Sequence, residues 1–494
     1  MTDILIIGGG IAGLTAGITA QRLGYSSMIL EKHFAPGGVC AGWYRGGCHI
    51  DSCIHWLTGT LPGTEGYALW EELGVLGEGI PVYHPPSIGV YEIDGRRLTL
   101  WCDPERLYRE LLSVAPENGA LLRILTRSIR ALQALQIPAL MPNDLAPLRR
   151  KLKLGLGLLK AVPSLLVWRK ITVWEFFGRL RSPVLRRFSR EYYPENYAMF
   201  NLLMQFAMMS SGNGGLPHGG SRGIIDRMTA RYKALGGELR LGCTVEEIVV
   251  KNGRSTGVSA SRGMFEARYV VAACDAGMFY HRLLGGRFND SSYEKRFADP
   301  AAYPLPSSCF LAFRAEIPLD WLPENLHFEV EPFTIGATIF RHLCLRHFAW
   351  QPDFAPPGKG VLCLQLNQTD GDYSVWKKLG NDPAAYAAAK DAMAKAVESR
   401  LTGRFPELRG KLTLLDTATP LTYHTYFGAT HGAWMAFLST GKDKMLISNG
   451  VVKGLENVFL TGQWLHPPGG APIAATNAKF TVQRIAAAEE RPFL

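Results

Sequence analysis

The 494-residue sequence lacks the marks of several protein classes. Its nine cysteines are an odd number and no two are spaced C-x-x-C, which argues against a disulfide framework and a cysteine-rich zinc site. No run of about 18 apolar residues occurs, so we expect no membrane-spanning helix. The first residues lack the basic start and the long apolar run of a secretory signal, so we expect a cytoplasmic protein with reduced thiols.

Motifs for metal binding and for serine hydrolysis are also missing. Among twelve histidines, His342 and His347 lie close in sequence, but no acid or cysteine completes a ligand set, so we expect no metal. No G-x-S-x-G nucleophile motif occurs. Hydrophobic residues make up 47% and charged residues 19%, which excludes a disordered chain.

The positive charge is concentrated in one stretch. The net charge is +10, and residues 149–190 contain twelve Lys or Arg against one acid, Glu175. The same stretch is rich in Leu, Trp and Phe, which nucleic-acid binding does not need, so we expect no nucleic-acid partner. Basic residues beside apolar ones suit an anionic membrane surface, and we expect Pro163 to divide the stretch into two helices. The alternative is a pair of core-facing helices with a solvated basic face.

A dinucleotide-binding motif opens the chain. Residues 4–7 form an aliphatic strand, Gly8 to Gly13 spell G-x-G-x-x-G, and a helix, a second strand and Glu31 follow. Gly8 permits the tight turn, Gly10 lets the backbone approach a pyrophosphate, and Gly13 lets helix and strand pack closely. The helix N-terminus offers free N–H groups to phosphates. Glu31 stands where a carboxylate accepts ribose hydroxyls and would repel a 2′-phosphate, so we predict an ADP-containing cofactor other than NADP.

A second glycine turn, near the other end of the chain, favours FAD over NAD. Residues 458–464 read as a strand ending near Gly462, and a glycine- and proline-rich turn then leads into a helix to about residue 488. One cofactor held by both ends of the chain must be long, as FAD is. No second dinucleotide motif exists, so the electron donor or acceptor stays open: a quinone, O2, a reductase, transient NAD(P)H, or none for an isomerase.

These segments, in this order, resemble the flavoprotein family of bacterial phytoene desaturases, carotenoid isomerases and retinol saturase, within the amine-oxidase-like FAD superfamily. The resemblance spans the whole chain and rests on the N-terminal motif, the Gly37-Gly38 pair and residues 50–59, 216–221 and 236–248. It also includes Gly462-Gln463-Trp464 and the turn at 468–470. Two positions depart from the wider superfamily, because Val39 replaces an arginine and Gln463 replaces an acid.

The resemblance implies an α/β fold with a discontinuous Rossmann-like FAD-binding domain, at about 1–80, 215–288 and 440–494. A substrate domain at 81–214 and 289–439 would hold a mixed β-sheet and the helical membrane-surface segment 149–190. Several β-rich stretches between 309 and 415, and a helix over 383–401, suit that second sheet. The residues expected to bind FAD are Gly8, Gly10, Ile11, Ala12, Gly13, Glu31, Lys32, Gly37, Gly38, Val39, Val245, Gly462, Gln463, Gly469, Gly470, Ala471, Pro472 and Ile473.

The resemblance also implies an enzyme that saturates, desaturates or isomerises carbon–carbon bonds of a long polyene or isoprenoid lipid. A flavin amine oxidase and a non-catalytic prenyl-binding module are the alternatives. His55 is the candidate beside the reacting bond, since saturation needs a proton and an imidazole with a pKa near about 6.5 can supply one; otherwise it merely shapes the pocket. Tyr426 and His424 are further catalytic candidates. The expected substrate-lining residues are Trp56, Tyr423, Trp434 and His466.

Overall fold

The computed structural model describes residues 1–135, 138–158, 161–168, 170–438 and 446–493. Of the basic stretch 149–190, Leu159, Lys160 and Arg169 lie outside the described residues, as do residues 440–445 at the start of the third range assigned to FAD binding.

The described strands are numbered in chain order. They are β1 Thr2–Ile7, β2 Ser27–Leu30, β3 Gly42–Arg45, β4 Cys48–Asp51, β5 Leu57–Thr58, β6 Val82–Tyr83, β7 Ser87–Ile93, β8 Arg96–Trp101, β9 Gly214–Pro217, β10 Glu238–Arg240, β11 Val245–Lys251, β12 Arg254–Ala260, β13 Gly263–Ala272, β14 Ser307–Ala315, β15 Asn325–Ile335, β16 Thr338–His347, β17 Gly360–Gln368, β18 Leu412–Ala418 and β19 Val458–Leu460.

The α-helices are numbered in the same way. They are α1 Ile11–Arg22, α2 Glu65–Glu72, α3 Pro104–Val114, α4 Gly119–Leu132, α5 Leu148–Leu158, α6 Val162–Trp168, α7 Val173–Gly178, α8 Pro183–Tyr192, α9 Met199–Ser210, α10 Gly220–Ala234, α11 Ser291–Phe297, α12 Asp370–Leu379, α13 Pro383–Arg404, α14 Pro420–Phe427 and α15 Ala471–Ala488.

The first sheet has the strand order β10-β2-β1-β13-β12-β11, and β19 also pairs with β13. The pairs β10–β2, β2–β1, β1–β13 and β13–β19 are parallel, whereas β12 pairs antiparallel with both β11 and β13. Both faces of β1 are buried, because Ile4 packs with α1, α10 and α15 while Leu5 packs against the opposite core. Parallel strands end at one edge, which places Gly8 and Glu31 together.

The second sheet has the order β18-β14-β17-β16-β15-β7-β8 and is mixed, because β15 pairs parallel with β7 and its other pairs are antiparallel. One face carries Leu311, Leu345 and Leu364, which are buried against Val397 of α13. The other face carries Phe310 and Cys363, which pack with Cys48 and Ile50 of β4. This second face is therefore turned toward the first sheet.

The expected α/β fold class is confirmed, because the described chain forms a Rossmann-like sheet and a separate mixed sheet, each packed with helices. All strands of the first sheet come from the ranges 1–80, 215–288 and 440–494, and those of the second from 81–214 and 289–439. Helix α13 ends at Arg404, three residues beyond the expected 401. The sequence prediction missed β7, β8 and β12.

The basic stretch forms four helices rather than two. Pro163 lies in the first turn of α6, where a proline is tolerated, so the break after α5 is as expected. The capping box of Thr172 and Glu175 starts α7, and Ser182 caps α8, which adds two helices that the proline argument did not include. Within the described part of the chain, no helix is long and apolar enough to span a bilayer.

Candidate active site

The turn between β1 and α1 is shaped for close backbone contacts. Gly8 has φ = +102°, and a Cβ there would lie 2.7 Å from the carbonyl oxygen of Ala273. A Cβ on Gly13 would lie 1.8 Å from the carbonyl oxygen of Gly8, so only glycine fits. Helix α1 begins after Gly10 with no side-chain cap and no acid in its first turn. Its first N–H groups and its positive dipole end are left for an anionic ligand, as a pyrophosphate requires.

Glu31 lies directly after β2 and closes this turn. Its carboxylate is buried, with Oε2 accepting from the Gly9 backbone N at 2.6 Å and Oε1 from the His33 N at 2.8 Å. Val245, at the start of β11, is buried in the core that also contains Leu30, the residue before Glu31. A buried acceptor beside the glycine turn fits the ribose of an adenine dinucleotide.

The Gly37-Gly38 pair approaches the same turn. Gly37 N donates to the Gly9 carbonyl oxygen at 2.9 Å, and Gly10 forms a bridge with Gly37. Lys32 Nζ donates to the carbonyl oxygen of Thr425 at 2.8 Å, and burial lowers its pKa. This bond therefore connects Lys32 to α14. Val39 is half-buried and adds no charge near the glycine turn.

The C-terminal turn adjoins the N-terminal one. A Cβ on Gly462 would lie 3.2 Å from the Ala12 Cβ, so the two ends of the chain meet here. Helix α15 begins at Ala471 with no side-chain cap and no acid in its first turn, and Pro472 and Ile473 belong to that turn. No atom lies within 4 Å of a Cβ built on Gly470, so the helix start faces open space. An uncapped helix N-terminus beside open space fits the electron-rich edge of a flavin.

Gln463 shapes this second turn. Its Oε1 accepts from Gly470 N at 3.3 Å, and its Nε2 donates to the Trp434 carbonyl oxygen at 3.4 Å. A Cβ on Gly469 would lie 2.5 Å from the Gln463 Cβ, which explains a glycine at 469. The residue that replaces the superfamily's acid thus organises the turn through its neutral amide.

His55 faces the second sheet. Its surface is solvent-accessible, yet protein surrounds the ring, and burial together with the positive charge of Arg346 lowers its pKa to about 4. Its Nε2 lies 3.3 Å from Gln365 Oε1 on the second sheet. With this lowered pKa the imidazole is neutral at pH 7, whereas the sequence prediction assumed a pKa near about 6.5.

The segment before His55 is firmly held. Asp51 accepts from Ser221 N at 2.7 Å and from Ser221 Oγ at 2.6 Å, and the same Oγ lies 3.1 Å from the Ile54 N. Arg346 Nη1 donates to the Ile54 carbonyl oxygen at 2.6 Å. These bonds join β4, α10 and β16 and fix the backbone that carries His55 and half-buried Trp56.

The aromatic residues of α14 point in different directions. Tyr423 is buried and lies near Cys53, and burial raises its pKa to about 12. His424 is exposed, with Nδ1 3.0 Å from the Ala429 carbonyl oxygen. Tyr426 is exposed too, with its ring 5.6 Å from that of His33. Among the described contacts, neither His424 nor Tyr426 joins His55, whereas Tyr423 approaches the His55 segment.

Two further lining candidates lie beside the C-terminal turn. The buried Trp434 Nε1 has no hydrogen-bond partner among the described residues, and its carbonyl accepts from Gln463. His466 Nδ1 lies 2.8 Å from Asn477 Oδ1, and burial lowers its pKa. Both residues thus sit near the open space at the start of α15.

Sequence reasoning missed the polar face of the second sheet. Arg346 and Gln365 are both within reach of the His55 segment. Cys344 Sγ lies 3.4 Å from His327 Nε2 on the neighbouring strand. The signal was present in the sequence, because His342, Cys344 and Arg346 occupy every second position of one strand and so share a face.

An exposed apolar and basic surface lies on α5 and α6. Leu148 is 71% exposed, Leu152 59% and Leu166 58%, and Arg149 and Lys151 are exposed among them. Arg150 differs from its neighbours, because its Nη2 lies 2.7 Å from both carboxylate oxygens of Glu65. We call Leu148, Leu152, Leu166, Arg149 and Lys151 the α5–α6 surface.

Comparisons with known proteins agree with this geometry. The model of the family "Flavin containing amine oxidoreductase" matches residues 11–486. The human protein named all-trans-retinol 13,14-reductase is 23% identical over 93% of this chain and 82% of its own length. The lycopene-forming phytoene desaturase of Pseudescherichia vulneris is 24% identical over 97% of this chain and 98% of its own.

A solved structure supports the fold. The crystal structure of an oxidoreductase from Methanosarcina mazei aligns with 99% of this chain and 100% of its own, at a TM-score of 0.61 and 14% identity. The family model covers nearly the whole chain, including α1 and most of α15, which hold the two uncapped helix starts. The chain belongs to the family of flavin containing amine oxidoreductases.

Proposed function

We propose that the protein is an FAD-dependent oxidoreductase that saturates, desaturates or isomerises carbon–carbon bonds of a long apolar polyene or isoprenoid lipid. The observation that carries this proposal is the α5–α6 surface, where Leu148, Leu152 and Leu166 are each more than half exposed. Exposed leucines beside basic side chains suit a contact with an anionic membrane surface. A contact with a membrane suits an enzyme whose substrate dissolves in the bilayer.

The names of the relatives support the same substrate class. The two relatives compared above are named for a retinol reductase and a lycopene-forming phytoene desaturase, and they align with 93% and 97% of this chain. Retinol and phytoene are long apolar polyenes. Such a molecule hardly dissolves in water, and a bilayer is a natural source for it.

FAD, when bound, supplies a two-electron acceptor or donor for hydrogen transfer at carbon. The start of α1 and the Gly37-Gly38 pair would hold its phosphates, and Glu31 would accept its ribose hydroxyls. The start of α15 would face its ring system. The glycine turns and the two helix starts offer backbone groups, whereas Glu31 offers its side-chain carboxylate.

Beside the reacting bond, His55 and Tyr423 would supply hydrogen bonds from the protein. A neutral His55 can donate one hydrogen bond and accept another, and Gln365 restricts its orientation. Tyr423 keeps its proton up to a pH of about 12 and so remains a hydrogen-bond donor. We therefore assign His55 to positioning of the substrate, with its proton exchanged only if a bound group raises its pKa.

The α5–α6 surface would contact the bilayer. Its leucines would enter the acyl boundary while Arg149 and Lys151 meet anionic headgroups. Helix α8, later in the same stretch of the chain, ends against the second sheet. The ring of its last residue, Tyr192, lies 5.3 Å from the His327 ring. The same part of the chain thus has an outer end suited to lipid and an inner end at the polar face of the sheet.

The decisive experiment compares two substrate classes on the FAD-loaded protein under anaerobic conditions. Oxidised and reduced samples are each mixed with vesicles containing a C40 or C20 polyene, and separately with a panel of primary and polyamines. We expect a change in flavin absorbance, or an isomerised product, with the polyene alone. Reduction of the flavin by amines, with the polyene unchanged in both samples, would establish an amine oxidase instead. Failure to retain FAD with lipid still bound would indicate a non-catalytic lipid-binding module.

A further inference from the structure

Part of the inner face of the second sheet is polar, although an apolar face would suit a hydrocarbon substrate. Side chains alternate along each strand, so Leu343 and Leu345 of β16 face the apolar core while Cys344 and Arg346 face the first domain. On the neighbouring strand β17, Arg346 is paired with Cys363. The hydrogen-bonding groups therefore lie beside the apolar cluster in which Phe310 and Cys363 pack on β4.

This face adjoins the His55 segment. Gln365 meets His55, and Cys344 lies 3.4 Å from His327. The His327 ring stacks on that of Tyr91 at 4.1 Å, on the strand beyond. A row of side chains thus crosses the sheet from Gln365 through Cys344 to His327, with an aromatic end.

Arg346 is the most unusual member of this face. It is 8% exposed, and Nη1 donates to the Ile54 carbonyl oxygen. Its guanidinium also lies 4.8 Å from the centre of the Phe348 ring. Among the described residues, it makes no ion pair and no second hydrogen bond. A buried cation with one neutral acceptor is costly unless a further partner is bound.

The nearest acids are already engaged. Asp51 influences Arg346 through space, but its oxygens accept from Ser221 and Cys53. Glu324 also acts from a distance, and it accepts from the Tyr83 hydroxyl. The guanidinium therefore keeps unused donors beside His55, inside the protein.

We propose that Arg346 binds an anionic group, a carboxylate, of the apolar substrate. A guanidinium presents paired donors that match the two oxygens of a carboxylate, which makes it the side chain suited to a desolvated anion. Gln365 can provide a further donor beside it, because its amide donates only one of its two N–H groups, to Asn367. The substrate is then an oxidised polyene or isoprenoid acid rather than a pure hydrocarbon. This inference rests on the proposed function and narrows its substrate class.

The test uses the FAD-loaded protein and two probes that differ only in charge, all-trans-retinoic acid and its methyl ester. Their dissociation constants are measured from quenching of tryptophan fluorescence at about pH 8. We expect the acid to bind at least tenfold more tightly than the ester, since a charge-assisted hydrogen bond is worth about 1.5–3 kcal/mol. Equal affinities for acid and ester would overturn the anion site and leave the proposed function intact. Absence of binding by either probe would count against both.

Three variants localise the effect. Arg346→Gln should weaken the acid at least tenfold and leave the ester unchanged, and Arg346→Lys should retain part of the preference. Arg341→Gln removes an exposed charge from the same strand and should behave as the wild type. A preference for the acid that survives in Arg346→Gln would overturn the assignment. If Arg346→Gln loses FAD or fails to fold, the comparison of acid with ester in the wild type decides alone.

Discussion

At the scale of the residue, Glu31 illustrates what a sequence reveals directly. Its place after a short strand and its distance from the glycine turn follow from the chain alone, because one βαβ unit sets both. The structure adds that the carboxylate is buried and accepts from Gly9 N and His33 N. The position of this buried carboxylate was therefore predictable from local sequence.

Replacing Glu31 by arginine should strongly reduce FAD retention. The change removes a buried acceptor, and it places a long cation beside the glycine turn. We expect the dissociation constant for FAD to rise at least tenfold, measured by fluorescence on titrating the apoprotein. Glu246→Arg makes the same charge change at an exposed position of β11 and should retain FAD. Stoichiometric, tightly held FAD in Glu31→Arg would contradict the role given to Glu31.

The residues of α14 show where sequence reasoning stops. Tyr423, His424 and Tyr426 lie within one helical turn, and each residue rotates the side chain by about 100° around the axis. Only Tyr423 is turned inward, whereas Tyr426 is 48% exposed. The phase of a short helix against its neighbours is decided by tertiary packing, so the catalytic pair proposed from sequence could not be oriented beforehand.

The lowered pKa of His55 predicts a specific dependence of stability on pH. The unfolded chain takes up this proton below about pH 6.5, whereas the folded protein does so only near pH 4. The contribution is therefore present above about pH 6.5 and is lost as the pH falls toward about 4. We expect His55→Gln to show a smaller drop in Tm between about pH 7 and pH 5 than the wild type, by calorimetry. An equal or larger drop in the variant would show that His55 titrates normally.

At the scale of the element, the α5–α6 surface shows what amino-acid composition can predict and what it cannot. Charge and leucine content marked residues 149–190. Leu152 and Leu166 are exposed, whereas the aromatic Trp168, Phe176 and Phe177 of the same range are buried in the core. The ion pair of Arg150 with Glu65 links α5 to α2, and only the folded chain reveals it. A charge count therefore overstated the free basic residues.

The surface predicts salt-sensitive binding to anionic vesicles. The double variant Arg149→Gln with Lys151→Gln should sediment less with anionic vesicles, because two exposed cations are removed, and its FAD content should stay unchanged. The effect should shrink as salt screens the charges. Lys377→Gln with Lys378→Gln makes the same charge change on α12 and should bind as the wild type. Equal sedimentation with neutral and anionic vesicles would contradict the electrostatic part of the proposal.

At the scale of the whole molecule, local patterns located the parts better than their partners. The glycine motif predicted the first strands of the first sheet. The family resemblance then suggested that distant segments of the chain join the same sheet. Strands β7 and β15 pair although more than 200 residues separate Tyr91 from His327, and no local signal encodes that pairing. The row of Gln365, Cys344 and His327 depends on how these strands pair, so only the folded structure reveals it.

The central claim is that a lipid from the membrane lies inside this flavoprotein, and mass spectrometry of the purified FAD-loaded protein tests it most directly. The protein is isolated from cells that make polyenes, incubated with their membrane vesicles, and extracted with organic solvent. We predict one polyene or isoprenoid lipid in an amount comparable to FAD, reduced in the Arg149→Gln, Lys151→Gln variant when the vesicles are anionic. Recovery of FAD without any such lipid, together with flavin reduction by an amine, would contradict the account.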